Sequence, residues 1–234
     1  MSHILDLEPE FVELHELCRE QTMTSIERMY ALYNATRYAI DNGLPGDFAE
    51  CGVWRGGSMM LTALTLQRLG ASDRELWLYD TFDGMTPPGS EDVQEMTGRP
   101  ARDVLAAEEK SEGNPFWGIA PRVIVEENMC RTGYPAGRVH FVEGDVMTTI
   151  PAHAPQQIAL LRLDTDWYAS TSHELKHLYP RIVSGGVLIV DDYGYWRGAR
   201  KATDEYLASL PQRPMLHRID HTGRICVKMQ KASS

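Results

Sequence analysis

The sequence predicts an α/β fold, a doubly wound and mostly parallel sheet with helices on both faces. Three observations carry that reading. Short apolar runs bounded by glycine and proline alternate with helical segments along most of the 234 residues, the rhythm of βαβ crossovers. The first such run turns through glycines straight into a helix, in ECGVWRGGSMML at 50–61. Several runs then end in acids, in ELWLYD, LLRLDTD and GVLIVDD. The length suits a single domain over 1–234 and is too short for two comfortable ones.

Residues 8–42 read as helical because Ile26, Met29, Tyr30 and Tyr33 recur at three- and four-residue spacing, with Thr24 or Ser25 available as a cap. Gly43, Pro45 and Gly46 end that stretch, which makes 1–43 an N-terminal helical cap. Next come a strand in DFAEC (47–51), a helix over about 57–69, and strands in ELWLYD (75–80), RVHFVEGD (138–145) and QIALLRLD (157–164). A helix across 170–179 and a strand in GVLIVDD (186–192) complete the series. In RPMLHRIDHTGRICVKM two strands fold about Thr222-Gly223, an antiparallel hairpin for the C-terminal edge of the sheet. Between Asp80 and Arg138 lies a polar stretch too long for an ordinary connection, and 86–121 is expected to be a lid or substrate-binding insertion.

Composition narrows the partners. A net charge of −10, with basic residues scattered, argues against a surface that tracks nucleic-acid phosphates and favours small molecules. Cys18, Cys51, Cys130 and Cys226 form no CxxC pair, so neither a disulfide framework nor a thiolate zinc site is expected, and a reducing cytoplasm fits. The N-terminus has acids where a leader would be basic, and no stretch approaches the roughly 18 apolar residues of a membrane span. A soluble, cytoplasmic, unprocessed protein is the expectation.

The glycine turn runs Glu-x-Gly-x-x-x-Gly-Gly-Ser from Glu50 through Gly52 and Gly56 to Ser58. Glycine there lets a ligand approach the backbone, and the helix N-terminus offers free N–H groups. It is not the G-x-G-x-x-G of pyrophosphate binders, and an acid at the strand end would repel a diphosphate, so a cofactor with an amino group suits it better. The competing reading is a tight turn whose Gly56 and Gly57 serve packing alone. ELWLYD ends in Asp80, where a carboxylate can take two ribose hydroxyls. Acids at both strand ends point to S-adenosylmethionine, with Glu50 near its amino-acid end, Asp80 on the ribose and Asp145 near the adenine.

QIALLRLD and GVLIVDD deliver Asp164, Asp166, Asp191 and Asp192 to the same rim. Like charges crowded at a low-dielectric rim are driven toward protonation unless a cation neutralises them. All-oxygen ligands favour Mg²⁺ or Ca²⁺ over zinc, and Asp164, Asp191 and Asp192 are the expected ligands. Asp166, two residues past Asp164, looks toward the same site without needing to reach the metal, which makes it the candidate general base. The blander reading has Asp166 capping the next helix and Asp192 in a turn.

Two rival functions have sequence support. His173-Glu174-Leu175-Lys176-His177 matches the H-E-x-x-H of zinc metalloproteases, but it falls on a crossover helix away from the rim and has no evident third ligand. A solvent-facing amphipathic helix is the alternative. A nucleotide-binding module without chemistry would fit the fold, yet the missing G-x-G-x-x-G and the acidic cluster count against it. Phe116, Trp117, Trp167 and Trp196 could line an acceptor pocket or serve core and lid packing. Cys51 reads as a small buried residue.

TMTSIERM at 22–29, LPGDFAECGVWRGGS at 44–58, YDTFDGM at 79–85, LRLDTDWYAST at 161–171 and GGVLIVDDYGYWRGARKATDEYL at 185–207 together resemble the macrocin O-methyltransferase family. The resemblance implies a class I methyltransferase (Rossmann-like) fold with a seven-stranded sheet, S-adenosylmethionine, Mg²⁺, a homodimer, and methylation of a sugar hydroxyl of a natural product or glycoconjugate. It matches Asp164, Asp191 and Asp192 to the family's metal-binding acids and Asp166 to its base. Thr165, Trp167, Ala169 and Tyr195-Trp196 depart from the family's sugar-modifying members, and a catechol or other vicinal diol would satisfy the same metal geometry. In the implied mechanism the metal lowers the pKa of a substrate hydroxyl, Asp166 takes its proton, and the oxygen attacks the sulfonium methyl in line.

Overall fold

The N-terminal cap is two helices, α1 (Pro9–Cys18) and α2 (Ile26–Asp41), the second starting from the Ser25 cap that the sequence offers. In this computed structural model, which describes residues 6–229, the chain breaks at 19–25. Hydroxyl side chains explain the break. Thr22 Oγ1 accepts the Thr24 N–H (3.0 Å) and Ser25 Oγ accepts the Arg28 N–H (3.2 Å), so a local turn replaces helix and Ser25 becomes a fresh N-cap. The outermost residues of the expected 1–43 cap and 1–234 domain lie outside the described residues.

Five parallel strands follow in the order expected: β1 (Asp47–Cys51), β2 (Leu76–Asp80), β3 (Val139–Glu143), β4 (Ile158–Leu163) and β5 (Ile182–Val190). Helix α3 (Gly57–Arg68) connects β1 to β2, and α7 (Tyr168–Leu178) connects β4 to β5. The connection from β2 to β3 holds a short α4 (Ala101–Ala106) and a crossover helix, α5 (Arg122–Arg131), absent from the sequence reading. RVIVEENMCR spreads its apolar residues round the helix, with Val123 and Ile124 exposed and only Val125, Asn128 and Met129 buried, so its periodicity is faint. A one-turn α6 (Val146–Thr149) follows β3, and α8 (Arg197–Ala208) follows β5. The tail is the expected hairpin, β6 (His217–Arg218) and β7 (Arg224–Val227), with β7 antiparallel to β5.

Sheet order is β3-β2-β1-β4-β5-β7-β6, so chain direction across the sheet reverses between β1 and β4. A crevice opens at the carboxyl ends of strands where the order reverses, and ligands bind there in such sheets. Alternation along the strands divides the core. Phe48, Leu160, Val187 and Ile189 pack under α1, α2 and α3, whereas Cys51, Leu161, Leu163, Leu188 and Val190 pack under α7 and α8. The same parity carries Glu50, Arg162 and Asp191 toward the α2 side. Thr165, continuing the parity of Leu163, falls on the α7 side.

Among the described residues no helix is long and apolar enough to cross a membrane. Cys18, Cys51 and Cys226 are buried, Cys130 is exposed, and all four are free thiols.

Candidate active site

A cavity of about 440 Å³ opens at the carboxyl ends of β1, β2, β4 and β5. Its walls include Glu50, Gly52, Ser58, Asp80, Asp145, Asp164, Asp166, Asp191 and Asp192, nine of the ten residues singled out in the sequence. Gly56 is the exception. It sits below the turn at φ +83° as the N-cap of α3, with Val125 Cγ1 only 3.0 Å from where a Cβ would stand. Gly52 has a stricter need: at φ +81°, a Cβ there would fall 2.0 Å from the Asp164 carbonyl oxygen. The glycine turn thus lets the ends of β1 and β4 close on each other, beyond any need for ligand approach.

The acids of the turn are more committed than their sequence roles require. Ser58 Oγ donates to Glu50 (2.6 and 2.7 Å), and Glu50 also pairs with Arg162, so both lie buried against each other. Asp80 Oδ2 accepts the Val53 and Trp54 N–H groups (2.8 and 3.0 Å), and its Oδ1 accepts that of Phe82 (2.9 Å). Asp80 therefore organises the glycine turn while facing the cavity. Asp145 caps α6 by accepting the Met147 N–H (2.9 Å).

Two arginines enter the acidic rim, and the sequence reading missed both. Arg162 lies within β4 beside Glu50 of β1, and its guanidinium bonds Glu50, Asp191, Asp164 Oδ2 (2.7 Å) and Thr24 Oγ1 (2.9 Å). Arg28 reaches from α2 to Asp191 and to Asp220 Oδ2 of the hairpin turn (3.0 Å). The signal for Arg162 was visible, since a cation inside the buried run LLRL requires an anionic partner. Part of the positive charge these acids require therefore comes from the protein itself: Asp191 has an arginine on each carboxylate oxygen.

Asp166 adopts φ +66°, a conformation non-glycine residues seldom take. Its N–H donates to Asp192 Oδ2 (3.2 Å), and its Oδ1 accepts the Trp196 indole N–H (2.7 Å). It caps no helix. Burial, then repulsion from Asp164, pushes its carboxyl up to about 8. Burial likewise raises Asp191, to about 6, and Glu50, to about 7, although Arg162 opposes both. Asp192 is held well above the usual carboxylate range by burial and by Asp166.

The rim keeps the features that suit a hard divalent ion. Glu50, Asp164, Asp166, Asp191 and Asp192 outnumber Arg28 and Arg162, and Asp164, Asp191 and Asp192 each bring one oxygen to within 4.8 Å of the others. An all-carboxylate donor set of that size fits Mg²⁺ chemistry, with Asp191 sharing its oxygens with the arginines.

The HELKH segment is no zinc site. Glu174 points into the protein and accepts the Thr165 hydroxyl (2.9 and 3.1 Å), and His173 bonds the Ile150 carbonyl oxygen (2.9 Å). The helix is amphipathic as in the alternative reading, with Lys176 on its exposed face and Glu174 on its buried one. Of the aromatics, Trp167 and Trp196 pack edge-to-face at 5.0 Å, buried yet on the cavity wall. Phe116 is 38 % exposed at the cavity mouth, and Trp117 packs behind it against the Trp167–Trp196 cluster. The 86–121 segment is partly tied down: Asp92 caps α7 at the Tyr168 N–H (2.7 Å), and Glu95 pairs with Arg197 and Arg200.

The model of the family described as macrocin-O-methyltransferase matches residues 18–228. An 8-demethyl-8-(2,3-dimethoxy-alpha-L-rhamnosyl)-tetracenomycin-C 4'-O-methyltransferase from Streptomyces olivaceus is 32% identical over 205 residues, covering 86% of this chain and 73% of that one. A demethyldecarbamoylnovobiocin O-methyltransferase from Streptomyces niveus matches with the same identity and coverage. Among solved structures, the O-methyltransferase NovP superposes with a TM-score of 0.77 at 29% identity, covering 92% of this chain and 88% of that one.

Proposed function

The chain belongs to the macrocin-O-methyltransferase family and is an O-methyltransferase, and from that premise we propose that it methylates a sugar hydroxyl of a glycoside with S-adenosylmethionine and Mg²⁺. One observation carries the proposal. The oxygens of Asp164, Asp191 and Asp192 converge beside Asp166 in the cavity that the glycine turn also lines. The named relatives act on a rhamnosyl tetracenomycin and a demethyldecarbamoylnovobiocin, which supports a glycoside acceptor here.

S-adenosylmethionine supplies an activated methyl group, and a divalent ion on Asp164, Asp191 and Asp192 supplies positive charge that favours ionisation of the acceptor hydroxyl. The chain's own residues do the rest. Asp166 receives the hydroxyl proton, and the Trp196 indole N–H fixes its carboxylate for that transfer. Glu50, Gly52, Ser58, Asp80 and Asp145 form the cofactor side of the cavity, the acids suiting its amino and hydroxyl groups. Phe116 and the Thr22–Thr24 turn, at the mouth, exclude water when substrate enters, so that proximity supplies much of the rate.

The test is methyl transfer from labelled S-adenosylmethionine to demethyldecarbamoylnovobiocin and to simple rhamnosides. Transfer should vanish with EDTA and return with Mg²⁺. Full activity in EDTA would remove the metal from the proposal. The same reading includes a cytoplasmic homodimer, which light scattering would report at twice the 26.4 kDa chain mass.

A further inference from the structure

Glu174 is a buried carboxyl outside the cavity, with no direct part in methyl transfer. It is fully buried in α7, and among the described residues no lysine or arginine pairs with it. Apolar Leu175 and Leu178 flank it on the buried face of α7. A buried carboxyl in such surroundings is costly unless it has a partner. Its partners are the Thr165 hydroxyl, bonded to both carboxyl oxygens, and the Cys51 thiol.

Thr165 is the residue between Asp164 and Asp166. Its carbonyl oxygen also accepts the Trp167 N–H (2.7 Å) and the Ser170 hydroxyl (3.1 Å), so side chain and backbone are both clamped. On the other side, the close approach of Gly52 leaves the Asp164 carbonyl no room to shift toward β1. Asp166, at φ +66°, keeps its unusual backbone only while its neighbours over-determine it. Thr165 is the neighbour that ties this turn to α7.

We propose that Glu174 is a positioning residue for methyl transfer: by holding Thr165 it fixes the turn that points Asp164 at the metal site and Asp166 at Trp196. The inference rests on the reading of Asp164 as a ligand and Asp166 as the base. Glu174 acts through shape and hydrogen bonding. Burial pushes its carboxyl up to about 8, and glutamine can keep the acceptor oxygen without the charge.

The test uses the full chain with S-adenosylhomocysteine bound, reading Mn²⁺ affinity by electron paramagnetic resonance and the Trp196 indole ¹H–¹⁵N resonance, assigned by its loss in W196F. In E174A and T165V, Mn²⁺ affinity should fall at least tenfold and the Trp196 resonance should move. S-adenosylhomocysteine affinity should stay within twofold. E174Q should resemble the unaltered protein on all three, a rescue that a loss of general packing would not give. Unchanged Mn²⁺ affinity and Trp196 resonance in E174A and T165V would overturn the proposal. So would S-adenosylhomocysteine affinity falling in step with both signals. If E174A does not fold, T165V and E174Q carry the same decision. D164N separates the levels: should it bind Mn²⁺ as well as the unaltered protein, the ligand reading falls and this inference with it. Should D164N lose Mn²⁺ while E174A and T165V keep it, only this inference falls.

Discussion

Asp166 and Asp220 are both acids set in turns beside a strand end, and they have opposite chemistry. Asp220, in the β6–β7 turn, accepts the Gly223 and Thr222 N–H groups (2.6 and 2.9 Å), the Ser25 hydroxyl (2.7 Å) and Arg28 (3.0 Å). Although burial pushes its carboxyl up, those donors win and hold it down at about 2. Asp166 is deeply buried with Asp164 beside it, and although hydrogen bonds from the Trp196 indole N–H and from Asp192 oppose the shift, it rises to about 8. Burial raises both carboxyls, and it weighs more on the deeply buried Asp166, where Asp164 adds to it, whereas the donors around Asp220 outweigh it. Burial and the balance of donors and anions together separate an acid that anchors a turn from one whose raised pKa suits the proton transfer proposed for it.

The comparison breaks most sharply under conservative substitution. D166N should lower methyl transfer by about 10²–10⁴-fold, the usual contribution of a positioned base, while S-adenosylmethionine affinity measured by calorimetry stays near normal. Turnover within a few-fold of normal would remove Asp166 from the mechanism. D220A should do the reverse. It leaves Arg28 and two turn N–H groups without their acceptor and should destabilise the fold by about 3 kcal/mol. Thermal melting would show this as a fall of roughly 6–12 °C in a chain of this size. An unchanged melting temperature would mean that the hairpin turn does not anchor α2.

The same contrast explains what was legible in the sequence. Strand runs are dictated by burial on both faces, which leaves near-continuous apolar stretches such as IALL and VLIV, so the sheet and its hairpin were readable. Helix α5 was not, because apolar Val123 and Ile124 lie on its exposed face and blur its narrow buried stripe. The acids at the strand ends could be named one by one, because a carboxylate at the end of a buried apolar run stands out, and Asp164, Asp166, Asp191 and Asp192 do line one cavity. Their partners could not. Arg28 reaches Asp191 from α2 across 163 positions of sequence, and Asp220 joins it from a turn that no local pattern links to the rim. Glu174 went unassigned because helical spacing does not say which face of α7 meets the sheet.

Trp196 sharpens the Asp166 side with a smaller effect. W196F keeps the edge-to-face packing on Trp167 but removes the indole N–H that holds Asp166. A hydrogen bond to a charged group is worth about 1.5–3 kcal/mol, so turnover should drop by roughly 10- to 100-fold, less than in D166N. An equal loss of cofactor affinity would instead place Trp196 in the cofactor's pocket.

Stability should also depend on pH, and its sign differs at the two acids. Asp220, with its folded pKa depressed to about 2, stabilises the fold above the unfolded value near 4 and loses that contribution as pH falls toward 2. D220A should flatten the acid limb of the stability profile. Asp166, Glu50 and Asp191 have folded values raised to about 8, 7 and 6, so the folded state binds more protons than the unfolded chain between about pH 4 and 8. Metal-free protein should therefore lose stability as pH rises through that window. Added Mg²⁺ should restore it most at the alkaline end, where the rim carries the most uncompensated negative charge. Melting curves from pH 5 to 8.5, with EDTA or Mg²⁺, measure both effects. A metal-free protein whose melting temperature rises steadily toward pH 8 would show that Arg28 and Arg162 already neutralise the rim, leaving no deficit for a divalent ion to fill.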